Sequence, residues 1–163
     1  MKMILTSFLT AAALTGSCLA ALAQDQAYVD DRSDGAALIR SLYNAINRQE
    51  YARAYSYFGE EKPPGDYRSF VEGYAKTVDV QVITGTVTTE GAAGSLYAPV
   101  PVAVKSTEKG GKEHVFAGCY ITRIVNAAIQ EPPFTPLHIE SAELEEVKGP
   151  LEKALPKVCH SPS

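Results

Sequence analysis

The spacing of apolar and polar positions divides the chain into three regimes. An apolar run from Ile4 to Ala13 comes first, behind Met1-Lys2-Met3. Leu38, Ile39, Leu42, Tyr43, Ala45 and Ile46 then recur at steps of three and four, which predicts a helix with one buried stripe, capped by Ser33 or Asp34 and ending near Asn47-Arg48. Two shorter helical patterns follow. One has Tyr51, Ala54, Tyr55 and Phe58 on a face before Gly59, and the other has Tyr67, Phe70, Val71 and Tyr74 after the Pro63-Pro64-Gly65 break.

From Val78 the period falls to two. Val78, Val80 and Val82 alternate with Asp79, Gln81 and Ile83, and a Thr-rich continuation to Thr89 predicts a half-buried strand. Gly91-Ala92-Ala93-Gly94 predicts a turn into a second strand with Leu96, Ala98, Val100, Val102 and Val104 on one face. Glu108-Lys109-Gly110-Gly111-Lys112 predicts another turn, into a long strand from His114 to Val125. Neither glycine cluster has phosphate-loop spacing or opens onto a helix, so both read as hairpin turns, and no cofactor is expected. Pro99 and Pro101 delete two backbone donors from one strand, which requires part of it to be an edge or a bulge. Beyond the Pro132-Pro133-Phe134-Thr135-Pro136 loop, Leu137 to Glu145 predicts a further strand. Its Glu140, Glu143, Glu145 and Glu146 form an acidic rim. Gly149-Pro150 can open a short closing helix through Leu151 and Leu155.

The amino terminus changes how the rest is read. A basic start, an apolar stretch interrupted by Thr15-Gly16-Ser17, and Ala21-Leu22-Ala23 together predict a secretory signal peptide over residues 1–23, cleaved before Gln24, rather than a spanning helix. Lipidation at Cys18 is the rival, although Thr15 stands where lipoprotein signals carry an aliphatic residue. A flexible leader over 24–32 and one α+β domain over 33–163 complete the division. Export places the chain in the periplasm or outside the cell, where the two remaining cysteines, Cys119 and Cys159, are expected to form a disulfide that pins the carboxyl end to the sheet. Such a loop of about 40 residues is worth roughly 4 kcal/mol in the chain-entropy model. With 163 residues, 45% hydrophobic, and a formal charge of −4, the chain suits one globular domain and lacks the positive field of a nucleic-acid binder.

Helices first and an antiparallel meander last is the order of a segregated α+β domain. The stretch from Leu38 to Tyr55, LIRSLYNAINRQEYARAY, resembles the opening of small exported bacterial proteins of the nuclear-transport-factor-two-like superfamily. Phe70 with Gly73-Tyr74-Ala75-Lys76-Thr77, and Gly118-Cys119-Tyr120-Ile121-Thr122-Arg123, extend the likeness over about 90 residues. The resemblance implies a curved sheet wrapped around the first helix, a cone whose open end can hold an apolar ligand. Members such as ketosteroid isomerases and scytalone dehydratases use carboxylates, tyrosines or histidines in the cone, whereas others only bind.

Within this chain Asp79, Glu72 and His114 are the acid–base candidates, and no spacing forces any two together. His114, His138 and His160 form no metal-ligating pair, so no metal site is expected. Six of the nine tyrosines fall in the helical segment. The sharpest site expectation is that Tyr43, Tyr74 and Tyr120, with Arg123, line a pocket for a small, partly polar ligand. Arg123 is singled out because a charge on the face of Ala117, Cys119 and Ile121 needs a partner. The leading expectation is therefore a non-catalytic exported domain that binds a small amphipathic ligand or a protein partner. A cone-pocket isomerase, dehydratase or hydrolase is one alternative, and a periplasmic inhibitor or immunity-type protein docking through the acidic strand or the proline loop is the other.

Overall fold

A computed structural model of the chain describes residues 26–60 and 65–159. The expected signal peptide with Cys18, and His160, lie outside these residues. The order is α1 (Gly35–Asn47), α2 (Tyr51–Tyr55), α3 (Tyr67–Gly73), β1 (Thr77–Thr84), β2 (Glu90–Ala92), β3 (Ser95–Glu108), β4 (Glu113–Val125), β5 (His138–Val147) and α4 (Leu151–Ala154). The architecture is α+β: helices followed by a curved antiparallel sheet in the order β1-β3-β4-β5, with β2 also paired to β3.

Helix α1 forms where the apolar stripe predicts it. Asp34 caps it by accepting the Ala37 N–H at 2.8 Å, and Leu38, Ile39, Leu42 and Ala45 are buried against the sheet. Its first residue presses directly on the strands. A Cβ at Gly35 would stand 2.7 Å from Thr122 Oγ1 and 2.8 Å from Val100 Cγ2. At the other end Asn47 grips β1 through both backbone groups of one residue, its amide donating to the Val80 carbonyl at 2.8 Å and its Oδ1 accepting the Val80 N–H at 2.7 Å. Helix and edge strand are thereby fixed in one register.

The second helical pattern extends further in sequence than in structure. Helix α2 stops at Tyr55, and Phe58 instead makes a parallel bridge with Ile139 of β5. The first predicted strand also divides. β1 ends at Thr84, and residues 85–89 lead into the short β2, whose hairpin to β3 turns on Ala93 and Gly94, both at positive φ. β1 pairs with β3 from Val102 to Glu108, and β2 pairs with it from Ser95 to Tyr97. The interval from Ala98 to Pro101 therefore has no strand on that side, and one hydrogen bond, from the Gly85 N–H to the Pro101 carbonyl at 2.8 Å, meets it there. Amide and carbonyl of a strand residue point the same way. The missing donors of Pro99 and Pro101 thus fall where no ladder asks for them.

Residues 26–32, expected to be a loose leader, are hydrogen-bonded along α1 and α2. Asn44 donates to the Ala27 carbonyl and accepts the Val29 N–H, Ser41 Oγ accepts the Asp31 N–H, and the Tyr57 hydroxyl donates to Asp30. Arg53 lies over the Tyr28 ring at 4.4 Å and Arg32 over the Tyr57 ring at 4.6 Å. The polar composition that suggested slack supplies this strap.

The opposite face of the sheet is covered by the chain end. Leu151 of α4 is buried, and Cys159 is joined to Cys119 in the middle of β4, with the two Cα atoms 5.9 Å apart. Among the described residues no helix is long and apolar enough to cross a membrane.

Candidate functional site

Strand parity decides which side chains meet α1. On β4, Phe116, Gly118, Tyr120 and Thr122 share the face turned to the helices, while Ala117, Cys119, Ile121 and Arg123 share the other. The same alternation turns Val100, Val102, Val104 and Ser106 of β3 inward. Between this face and helices α1 and α3 lies a cavity of about 650 Å³. Phe58, Phe70, Val104, Phe116 and Leu144 give it an apolar body, and its two ends are chemically distinct.

Three tyrosines make one end. Tyr43 of α1 and Tyr120 of β4 are buried, their rings meet edge to face with centroids 6.4 Å apart, and their hydroxyls share a hydrogen bond of 2.8 Å. Tyr74, just beyond α3, packs on Phe70 at 5.2 Å and stacks with Tyr51 at 6.4 Å. Burial pushes the Tyr43 and Tyr120 phenols well up from the ordinary range. Tyr74 is likewise pushed up to about 12, first by burial and then by the neighbouring Tyr51. All three are therefore neutral donors at any physiological pH. Two phenols in one hydrogen bond use one of their two protons, and the Tyr74 hydroxyl has no partner among the described residues. Two O–H groups in the lining are thus left without an acceptor among the described residues.

These shifts carry a pH consequence. With folded-state values raised above about 10, the stabilisation is complete below that pH and is lost as pH climbs through the folded values. Phenolate absorbance is expected to show late-titrating tyrosines whose ionisation coincides with alkaline unfolding at about pH 12. Ionisation of all nine near pH 10 in folded protein would contradict the buried cluster.

The other end is polar. Six residues before Tyr120 along β4, roughly 20 Å at the rise of a strand, His114 faces the cavity with its Nδ1–H donating to Glu146 Oε1 at 2.7 Å. Its Nε2 stands 3.7 Å from Glu108 Oε1, and its ring lies nearly parallel to Phe116. Ser106, opposite His114 in the β3–β4 register, and Thr77 supply hydroxyls to the lining, while the Ser69 hydroxyl donates to Asp66. Sequence reasoning had no means of joining His114 to a carboxylate 32 positions away, because the β4–β5 register decides it.

Tyr43, Tyr74 and Tyr120 are brought together in the lining. Arg123 is not. It stands on the far face of β4, where it donates to Glu140 Oε1 at 3.1 Å and Ser95 Oγ at 3.2 Å and lies over the Tyr97 ring. Residues three apart on a strand lie on opposite faces, so Tyr120 and Arg123 cannot serve one pocket from one strand. With a third of each side chain exposed, the Arg123–Glu140 pair contributes about 1 kcal/mol or less. Arg123→Ala is expected to lower stability by no more than that in a chemical denaturation curve and to leave ligand uptake by the cavity unchanged. A tenfold loss of uptake would return Arg123 to the site.

The remaining candidates separate. Asp79 is on the outward parity of β1 beside Gln81, and Glu72 is exposed and paired with Arg68. His138 is buried between the Pro136 carbonyl and Glu140. The acidic rim is split by the alternation of β5 and by a register shift beside Glu140. Glu143 and Glu145 are exposed, while Glu140 and Glu146 are each committed to a cation or imidazole. Among the described residues no group of three potential ligands could hold a metal ion.

No family model and no curated protein matches the sequence. Solved structures with a similar arrangement include a protein of unknown function from Mycobacterium tuberculosis, 16% identical over 69% of each chain with a TM-score of 0.48. A hexachlorocyclohexane dehydrochlorinase of type two is 8% identical over 69% of this chain and 85% of its own, also at 0.48. A Streptomyces avermitilis protein of the nuclear-transport-factor-two-like family, assigned as a dehydratase, is 12% identical over 69% of this chain and 93% of its own, at 0.47. Likeness at this level concerns the order of helices and sheet and carries nothing about chemistry.

Proposed function

We propose that the chain binds a small amphipathic molecule in the cavity between the sheet and helices α1 and α3, with a neutral hydrogen-bond acceptor placed at the tyrosine end. The observation that carries this reading is the cluster of Tyr43, Tyr74 and Tyr120, which offers two phenol donors, unclaimed among the described residues, beside the apolar body of the cavity. No buried polar side-chain atom among the described residues lacks a partner, so these O–H groups are donors open to a visitor, and a carbonyl or ether oxygen on a bound molecule would accept from them. A charged group would gain less there, because the same burial that keeps the phenols neutral penalises any ion.

Nile red, a neutral carbonyl-bearing apolar dye, is the probe. Tyr74→Phe removes a hydroxyl that no described residue uses, so its melting curve should stay in place while dye affinity falls by up to roughly tenfold, the value of one hydrogen bond of about 1.4 kcal/mol. Tyr120→Phe should weaken uptake as well. Unchanged affinity in both variants would overturn the assignment.

The site of action in this reading is the periplasm or the exterior. The Cys119–Cys159 disulfide, which is stable in oxidising compartments, supports it. Intact-mass analysis of the exported protein should find Gln24 as the first residue. A lipid-modified Cys18 would replace the soluble form with an anchored one.

A further inference from the structure

We propose that Ser106, His114 and Glu146 form an acyl-transfer site at the polar end of the cavity, with a carboxylic ester of an apolar acid as substrate. The placement of the acyl chain along the apolar body rests on the binding reading above, and the chemistry of the three residues does not. They lie on three neighbouring strands, β3, β4 and β5, all on the inward face. Ser106 is directly opposite His114 in the β3–β4 register, which brings their Cβ atoms to about 5 Å. Glu146 accepts the His114 Nδ1–H at 2.7 Å. In the neutral imidazole that bond places the proton on Nδ1 and leaves the lone pair on Nε2, the form in which His114 acts as a base.

The groups left over are the ones the reaction needs. The Ser106 hydroxyl has no hydrogen-bond partner among the described residues, and His114 Nε2 meets no donor or acceptor within hydrogen-bond distance. Phe116 beneath the ring and a side-chain exposure of 18% hold the imidazole in place. A nucleophile, a base and an orienting carboxylate thus follow one another across the sheet.

In the first step Ser106 Oγ attacks the ester carbonyl carbon and its proton passes to His114 Nε2. The imidazolium so formed lies between Glu146 and Glu108, the latter 3.7 Å from Nε2, and both carboxylates stabilise its charge. Collapse of the tetrahedral adduct breaks the bond from carbon to the alcohol oxygen, and Nε2–H protonates the departing alcohol. Water then gives a proton to Nε2 and its oxygen to the acyl carbon. The bond from Ser106 breaks, the acid leaves, and the proton returns to the serine. The hydroxyl of Thr77, in the lining of the same cavity, is the donor available to the carbonyl oxygen.

The test is labelling of the whole protein with an alkyl fluorophosphonate, peptide mass spectrometry, and turnover of p-nitrophenyl butyrate. The expected result is one label, on Ser106, and ester turnover that Ser106→Ala abolishes with no change in melting curve. His114→Gln should slow labelling by about 10²-fold or more, and Glu146→Gln should slow it less. Wild-type protein that stays unlabelled at Ser106 under saturating probe, or Ser106→Ala protein that turns over the ester at the wild-type rate, overturns the proposal. Nile red uptake with Ser106 unlabelled overturns this site alone. Labelled Ser106 without dye uptake supports the site and overturns the binding reading.

Discussion

Serine at both Cys119 and Cys159 is expected to lower the stability of the domain by about 2–4 kcal/mol, seen as an earlier midpoint in urea. The bridge closes a loop of 40 residues that contains the rest of β4, the proline loop, β5 and α4. Opening it returns that loop's freedom to the unfolded chain. The folded state loses its tie on the carboxyl end, where α4 is four residues long and Leu151 is its one buried residue. A reducing agent should shift the midpoint of the native protein toward that of the double variant and leave the variant itself unmoved. Coincident midpoints in oxidised and reduced native protein would remove the bridge from the account of stability, and two free thiols in exported material would remove it altogether.

Gly118→Ala is expected to destabilise by about 3 kcal/mol or more, or to yield no folded protein. A Cβ built on Gly118 stands 1.9 Å from the Glu143 carbonyl oxygen and 3.0 Å from the Leu144 Cα, so what it meets is backbone, with no flexible side chain to swing away. Relief requires β4 and β5 to separate in the middle of the sheet, between Phe116 and Tyr120 on the cavity face. Both ends of the proposed site would feel that movement, since Ala142 and Leu144 line the cavity beside Tyr120 and Glu146 holds His114. Gly110→Ala, in a turn where an added Cβ meets nothing within 4 Å, is the control and should move the melt by less than about 0.5 kcal/mol. Equal melts for the two variants would show that the strands accommodate the methyl group.

What the sequence made legible was periodicity and local chemistry. The stripe from Leu38 to Ile46 specifies α1 because a helix repeats every 3.6 residues whatever it packs on. The cysteine pair was legible by number alone, and Tyr43 and Tyr74 by their place in the helical segment, while Tyr120 lies on β4. Arg123 shows where such reasoning stopped. Its membership of the Ala117, Cys119 and Ile121 face was visible in the alternation, and so was its conflict with Tyr120, but which face of β4 turns toward α1 depends on how the sheet packs. His114 and Glu146 depended on register, as did Ser106, and register is settled by hairpins and by the shift beside Glu140 that no local pattern announces. The strap from residue 26 to 32 was missed for another reason. Polar residues read as solvated until the arginines that receive them, Arg48 and Arg53, are placed by α1 and α2.

The prolines of β3 bear on self-association. An interruption in the pairing of a long central strand is ordinarily a template for foreign backbone, whether from a second copy or from a partly unfolded neighbour. Here the unpaired interval from Ala98 to Pro101 carries a proline at each alternate position that would otherwise present an N–H toward the intruder. If residues 85–89 peeled back, an arriving strand would find carbonyls to donate to but no amides to receive from, and could complete only half a ladder. Restoring donors at Pro99 and Pro101 would convert a silent interval into an adhesive one, so the two rings protect solubility at a point where the sheet is otherwise open.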